Sequence, residues 1–486
     1  MPLVAGVDSS TQSATVELRD LGTGRVLGSG RSPHPPTLPP RSEQDPSAWW
    51  TALVEAMARA LDAARAHGAR GSDVAALAVA GQQHGLVALD DRHRPVHPAK
   101  LWNDTESAAD ARRLVDRLGP AAWADACGSV PTAAFTITKL AWLRRCRPDA
   151  YARTTTVLLP HDWLTFRLTG AMVTDRGDAS GTGYWSPAGE RYRDDLLGLV
   201  DDGRHWDAAL PRVAGPGEAA GGLTRQAAGA LGLSEGVPVT AGTGDNMAGA
   251  LGVGLAPGDI AVSVGTSGTV FGVTDHATSD PTGAVAGFAD ATGRYLPLVC
   301  TLNATRVTDA VARLLGVDHA GFDDLALSGP AGAGGLVLVP YLAGERTPNR
   351  PDATGSLHGI RPDVERSHLA RAAVEGVVCG LLEGLDALAA AGVTTGPGRL
   401  VLLGGGARSA AYRLVLASLA EREVTVPDGD EPVAAGAAVQ AAALAGGGGT
   451  DAVVEAWDLT AGGTVAPATG PGTAADVRRR YAGARG

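Results

Sequence analysis

The chain carries one local pattern twice, once at its start and once past its midpoint. Val4 to Val7 leads into D-S-S-T-Q-S (Asp8 to Ser13) and then Ala14 to Leu18, and Ile260 to Val264 leads into G-T-S-G-T (Gly265 to Thr269) and then Val270 to Val273. Each copy reads as strand, tight hydroxyl-rich turn, strand, which is a β-hairpin. A hairpin repeated at this distance predicts an internally duplicated chain with two similar lobes, because each copy must found its own sheet. Apolar runs and helical stretches follow each copy, among them Trp49 to Ala66, Val74 to Ala80 and Leu369 to Ala391. That alternation predicts an α/β fold with largely internal sheets. The 486 residues suffice for two domains. Gly236 to Thr240 runs into the glycine-rich T-A-G-T-G-D, so the boundary is expected near residue 240, giving lobes 1–241 and 242–486. Pro33 to Pro40 reads as a surface loop and Ser328 to Gly335 as a flexible connection. Val433 to Gly449 reads as a buried helix running into a glycine-rich loop, too weakly apolar to span a bilayer.

Charge narrows the partners. The net charge is -11 and no stripe of Lys and Arg is present, which disfavours a nucleic acid or an anionic membrane and leaves small polar ligands. The four cysteines (Cys127, Cys146, Cys300 and Cys379) show no C-x-x-C spacing, so neither a zinc site nor a disulfide framework is expected. Asp8 interrupts the first apolar run before it reaches signal length, and a cytoplasmic location is expected. Oligomeric state is open, a homodimer included.

Six segments carry candidate chemistry. The D-S-S-T-Q-S turn sets a carboxylate before several backbone N–H groups, an arrangement suited to a metal-bound phosphate, or to an ordinary Asp-turn. V-S-V-G-T-S-G-T (Val262 to Thr269) supplies a second such loop from the other lobe. L-L-G-G-G-A-R-S (Leu402 to Ser409) lies between an apolar run and a helical one, where its backbone could lie against a nucleotide with a helix N-terminus aimed at it, or simply turn. A-G-Q-Q-H-G (Ala80 to Gly85) and W-N-D (Trp102 to Asp104) group amide, imidazole, indole and carboxylate side chains as a polyol site would, although any one could be core. T-G-D-N-M-A-G-A (Thr243 to Ala250) places Asp245 at a helix start, either as an N-cap or as a base at the mouth of a cleft.

Taken in order, V-D-S-S-T-Q, G-Q-Q-H-G, L-W-N-D, T-G-D-N, S-V-G-T-S-G-T, P-Y-L-A-G-E-R-T-P and G-G-G-A-R-S resemble the FGGY carbohydrate kinases from about Val4 to about Leu444. S-E-Q-D-P-S-A-W-W (Ser42 to Trp50) and G-E-R-T-P (Gly344 to Pro348) resemble the members that phosphorylate D-xylulose. The resemblance implies two actin-like, ribonuclease-H-like lobes closing on a central cleft, with sugar held mainly by the first and ATP mainly by the second. It implies Asp245 as catalytic base, Asn246 as a sugar contact, Gln83 and His84 as the sugar-binding pair, and Trp102, Asn103 and Asp104 lining the same pocket. Asp8 then stands near Mg2+ and the phosphates, with Asp245 close to the same ion. Thr11 and Thr266, the latter beside Gly265, are the phosphate-loop threonines, and Gly404, Gly405, Gly406 and Ser409 form the nucleotide loop. Ser10 stands where many relatives have glycine, and Gln83 where many have methionine. The alternatives are a kinase of the same family for another ketose or polyol, and a non-catalytic nucleotide-binding protein on an actin-like scaffold.

Overall fold

The computed structural model describes residues 1–37, 39–468 and 473–486; Leu38, inside the expected Pro33 to Pro40 loop, lies outside them. The first sheet contains β1 (Leu3–Ser9), β2 (Ser13–Asp20), β3 (Val26–Pro33), β4 (Val74–Gly81), β5 (Ala219–Gly222), β6 (Pro238–Thr240) and the short β7 (Thr243–Gly244). Its order is β5-β6-β4-β1-β2-β3, with β7 pairing to β4. The second contains β8 (Ile260–Val264), β9 (Gly268–Gly272), β10 (Ala286–Ala289), β11 (Tyr295–Thr301), β12 (Leu400–Leu403), β13 (Val424–Pro427) and β14 (Gly462–Val465), in the order β10-β11-β9-β8-β12-β13-β14.

The duplication is topological. β1, β2 and β3 form an antiparallel meander whose first strand pairs in parallel with β4, which pairs in parallel with β6. β8, β9 and β11 form the same meander, with β12 and β13 in the places of β4 and β6. This is the ribonuclease-H-like arrangement used twice, as expected of the FGGY fold.

Strand alternation explains the layers. On β1 and β4, Leu3, Ala5, Val7, Leu77 and Val79 pack outward against helices α1 (Pro46–Arg65) and α2 (Pro160–Thr169), while Val4, Ala76, Ala78 and Ala80 face inward. On β8 and β12, Ile260, Val262, Leu400 and Leu402 pack outward, and Ala261, Val401 and Leu403 face inward. Between the inner faces lie α3 (Asp245–Gly252) and, beyond α4 (Arg366–Ala390) and α5 (Ala410–Ala420) in the chain, α6 (Pro432–Gly446). α4 and α5 cover the outer face of the second sheet. Three glycines stand where the backbones of this layer nearly touch. A Cβ at Gly6 would lie 2.0 Å from the Ala434 carbonyl oxygen, one at Gly252 would lie 1.9 Å from that of Pro432, and one at Gly436 would lie 1.8 Å from that of Ala248.

The expected flexible connection at Ser328 to Gly335 is instead a packed turn. It contains a short 3-10 segment, Ala333–Gly335, and the Gly332 N–H donates to the buried Glu375 on α4 at 2.8 Å, so its backbone is tied down. The cysteines are all free, and among the described residues no helix is long and apolar enough to cross a membrane.

Candidate active site

Alternation places Asp8 on the inner face of β1, one residue pair beyond Gly6, and so toward the start of α6 at Glu431. Asp8 pairs in register with Ala80 of β4, whose other edge pairs with Thr243. The strand ends therefore bring Asp8, the G-Q-Q-H-G segment and Asp245 to one edge of the first sheet. Asp8 Oδ1 is buried without a hydrogen-bond partner. Burial, then the charges of Asp245 and Glu431, push its carboxyl well above the usual range, against the opposing pull of Arg31. Glu431 is itself raised by burial. These acids, with an orphaned oxygen among them, are short of positive charge, which a magnesium ion would supply.

Asp245 is the first residue of α3, while Gly244 holds the capping position. Asp245 Oδ1 accepts from the backbone N and the Nδ2 of Asn246, both at 2.8 Å, and Oδ2 has no protein donor among the described residues. Burial raises its pKa to about 6 even though the Asn246 bonds oppose the shift. Asn246 Nδ2 also donates to Gln83 Oε1 at 2.8 Å, and Gln83 Nε2 is buried without a partner. Asp245, Asn246 and Gln83 thus form one constellation, with a free acceptor at one end and a free donor at the other.

His84 has a left-handed backbone, φ 64°, uncommon for a residue with a side chain. Its ring is stacked on Phe135 at 5.1 Å and tilted against Phe288 of β10 at 5.4 Å, so the second lobe helps to hold it. Nδ1 is buried and unpartnered. Burial first, then Lys139 and Arg346, lower its pKa to about 3, leaving a neutral ring able both to donate and to accept.

Trp102 Nε1 donates to Thr11 Oγ1 at 2.9 Å, and Thr11 donates to Gln82 Oε1 at 3.1 Å, so the indole is tied to the tip of the first hairpin. Ser10 is not among the residues with positive φ and bonds Ser13 O through both N and Oγ, which removes the need for glycine there. Asn103 Oδ1 is buried and unpartnered. Asp104 departs from expectation. It is fully buried, with Oδ2 held by Lys100 Nζ and Ser42 N at 2.9 Å and Oδ1 by Glu106 N at 3.0 Å, so it supports the pocket from behind. Glu43, Asp104 and Glu106 also bring carboxylates together as a metal site would. Lys100 Nζ already lies 3.1, 2.9 and 2.7 Å from them, so the ammonium is the cation of that cluster.

In the second lobe, the hairpin tip at Gly265 and Thr266 abuts the glycine loop. A Cβ at Gly404, whose φ is 80°, would lie 2.8 Å from Val264 O, one at Gly406 would lie 2.5 Å from Val264 Cγ1, and Gly405 is open. Ser409 is a second departure. Its hydroxyl caps α5 by accepting from Tyr412 N at 3.1 Å and donates to Asp323 at 2.6 Å, while Ala410 N donates to Asp323 at 2.8 Å. A carboxylate thus already occupies the start of α5, where the sequence suggested an anion would bind.

Several neighbours of the site escaped the motif reading. Lys139 is fully buried, and its Nζ donates to Ala133 O at 2.8 Å. Arg346 lies in G-E-R-T-P; Glu345 fixes its backbone by accepting from Leu302 N at 2.6 Å and Arg346 N at 2.7 Å, and its guanidinium has no ion-pair partner among the described residues. Glu431 carried one faint signal, an acid immediately before a proline at a helix start.

Residues 3–252 match the N-terminal domain and residues 260–445 the C-terminal domain of the FGGY family of carbohydrate kinases. The chain is 48% identical over 463 residues to a xylulose kinase of Streptomyces coelicolor, covering 95% of this chain and 92% of that one. It is 36% identical over 410 residues to a xylulose kinase of Escherichia coli, covering 83% and 81%. The crystal structure of xylulose kinase from Bifidobacterium adolescentis superposes with a TM-score of 0.85 at 40% identity, covering 100% of this chain and 99% of that one. With both family domains matched in order and a relative this similar along nearly its whole length, the chain belongs to the FGGY family of carbohydrate kinases.

Proposed function

We propose that the chain transfers the γ-phosphoryl group of ATP to the 5-hydroxyl of D-xylulose, giving D-xylulose 5-phosphate and ADP, with Asp245 as the base. The observation that carries this reading is the Asp245 carboxylate, held through one oxygen by Asn246, with its other oxygen free and its proton affinity raised by burial. As the sugar oxygen bonds to phosphorus and the bond to the ADP oxygen breaks, the hydroxyl proton passes to Asp245. General-base help of this kind is worth roughly 10² to 10⁴-fold. Alignment of acceptor and phosphoryl group supplies much of the rest.

We divide the chain at 241/242, with sugar held mainly by the first lobe and nucleotide mainly by the second. Gln83 Nε2, His84, Trp102, Asn103 and Asn246 are the sugar-side groups in this reading; Thr11, Gly265, Thr266 and Gly404 to Gly406 are the phosphate-side and nucleotide-side backbone. Asp8, with Asp245 close to it, would hold a magnesium ion, which when bound neutralises phosphate charge. The xylulose assignment is supported by the relatives named above. Four free thiols and dependence on ATP fit a cytoplasmic enzyme. One chain supplies both sides of the cleft.

The test is a coupled ADP-release assay with D-xylulose, D-ribulose, L-ribulose, glycerol and gluconate. D-xylulose is expected to give the highest kcat/KM. An equal or higher value on any other acceptor rejects the substrate assignment and leaves a kinase for that compound.

A further inference from the structure

Directly behind the segment that carries Asp245 lies an ionic cluster with no part in the motifs or in the proposed chemistry. His161 and Asp162 open α2, Asp175 ends the strand Val173–Asp175, and Asp178 lies in the short helix Arg176–Ala179 that follows. All four side chains are buried. His161 Nδ1 lies 2.8 Å from Asp178 Oδ2, and Nε2 approaches Asp162 Oδ1 at 3.2 Å and Asp175 Oδ1 at 3.6 Å as ion-pair contacts outside hydrogen-bond geometry.

The cluster touches the site segment at two places. Thr243 Oγ1 donates to Asp175 Oδ2 at 2.7 Å. His161 also lies against two glycines beside the strand ends: a Cβ at Gly242 would be 2.9 Å from its ring Cδ2, and one at Gly81 would be 2.9 Å from its Cβ. Thr243 and Gly244 form β7, and Asp245 follows at once. The segment from Arg176 to Ser180 is anchored on the second lobe, where Arg176 Nη1 donates to Arg294 O at 2.6 Å and Ser180 Oγ accepts from Ala289 N at 3.0 Å.

We propose that His161 is a positioning residue for Asp245: with Asp162, Asp175 and Asp178 it forms a sealed ionic cluster that fixes, through the Asp175–Thr243 hydrogen bond, the strand end from which Asp245 projects. Both ring nitrogens face carboxylate oxygens, an arrangement the doubly protonated imidazolium satisfies. Three buried carboxylates without that cation would have to take up protons or open the site to water. Either change alters the acceptor held by Thr243. Burial alone would lower the pKa of His161, but Asp162, Asp178 and Asp175 override it and raise it to about 9, which agrees with a ring charged at neutral pH.

This inference rests on the reading of Asp245 as base, and the experiment separates the two. Thr243→Val, His161→Gln, His161→Lys and Asp245→Asn are made in the full chain and assayed with ATP, magnesium and D-xylulose, with thermal melts on the same preparations. Thr243→Val keeps the side-chain shape and removes only the bond to Asp175. It is expected to lower kcat about tenfold or more, the scale of a sub-ångström to 1 Å misplacement, while both KM values stay within about twofold. His161→Gln is expected to lose kcat similarly and His161→Lys, which restores a cation, to recover most of it. Unchanged kcat in Thr243→Val overturns the proposal even if His161→Gln fails to fold. A folded His161→Lys no better than His161→Gln overturns its ionic part. Full turnover in Asp245→Asn would instead remove the base reading itself.

Discussion

Gly436→Ala would place a methyl group at the closest backbone crossing in the molecule's middle layer. The new Cβ would lie 1.8 Å from the Ala248 carbonyl oxygen and 2.6 Å from its carbon. That oxygen belongs to the helical backbone of α3 and cannot rotate aside, so α3 and α6 must part by about 1.5 Å to restore ordinary contact. Overpacking of this kind costs about 1 to 3 kcal/mol. The better helix propensity of alanine returns about 1 kcal/mol, so the net loss of stability should be modest. The catalytic cost should be larger, because α3 begins at Asp245 and a displacement near 1 Å can lower a rate about 10²-fold. The assay pairs thermal melts with kcat for xylulose phosphorylation. Gly249→Ala is the control: it lies on α3, but its nearest neighbour would be Val433 Cγ2 at 3.7 Å, so it should leave kcat unchanged and stability equal or higher. Wild-type melting and turnover in Gly436→Ala, or equal damage in Gly249→Ala, would refute the reasoning.

Three further outcomes are expected. Asp8→Ala should weaken magnesium-ATP binding and turnover more than sugar binding, and a calorimetric titration with intact magnesium-ATP affinity in a fully active variant would contradict its role. His84→Ala should raise the KM for xylulose with little change in ATP affinity, because losing a hydrogen bond in a buried site costs about 1 to 3 kcal/mol; unaltered kinetics would leave His84 with only its packing role. Folding should weaken in mild alkali. Against the opposing effect of burial, His161 has a folded pKa raised to about 9 by its three carboxylates, so its contribution is fully present below the unfolded value near 6.5 and is lost as pH rises through about 9. Melts between pH 6.5 and 9.5 should show that decline in the native chain and a flatter curve in His161→Gln.

The hairpins were legible because both their strands and their turns are continuous in sequence. The register of β1 on β2 and of β8 on β9 follows from the short turns that join them within D-S-S-T-Q-S and G-T-S-G-T. The constellation of Gln83, Asp245 and Asn246 was legible only as two separate motifs; β7 pairing to β4 brings them together. Asp104 and Ser409 show the opposite case. Each lies in a recognisable motif, yet its oxygens are taken by Lys100 and Ser42 or by Asp323 and Tyr412, partners whose proximity exists only in the folded chain. His161 and its three carboxylates left no pattern to read, because a buried ionic cluster is assembled by packing and its members follow neither strand nor helix periodicity. Phe288 on His84 was equally silent, since the contact joins opposite lobes.

The central claim is that Asp245 takes the hydroxyl proton, and the most direct measurement is turnover of Asp245→Asn alongside its xylulose affinity and melting temperature. Gly244, not Asp245, holds the capping position of α3, and asparagine keeps an oxygen that can accept from Asn246. The carboxylate is also costly in the folded state, since burial raises its pKa, so a neutral amide should fold at least as well. The account predicts a variant that melts at the same or a higher temperature, binds xylulose and ATP, and turns over about 10²-fold or more slowly. A folded, sugar-binding Asp245→Asn with near-normal kcat would contradict it.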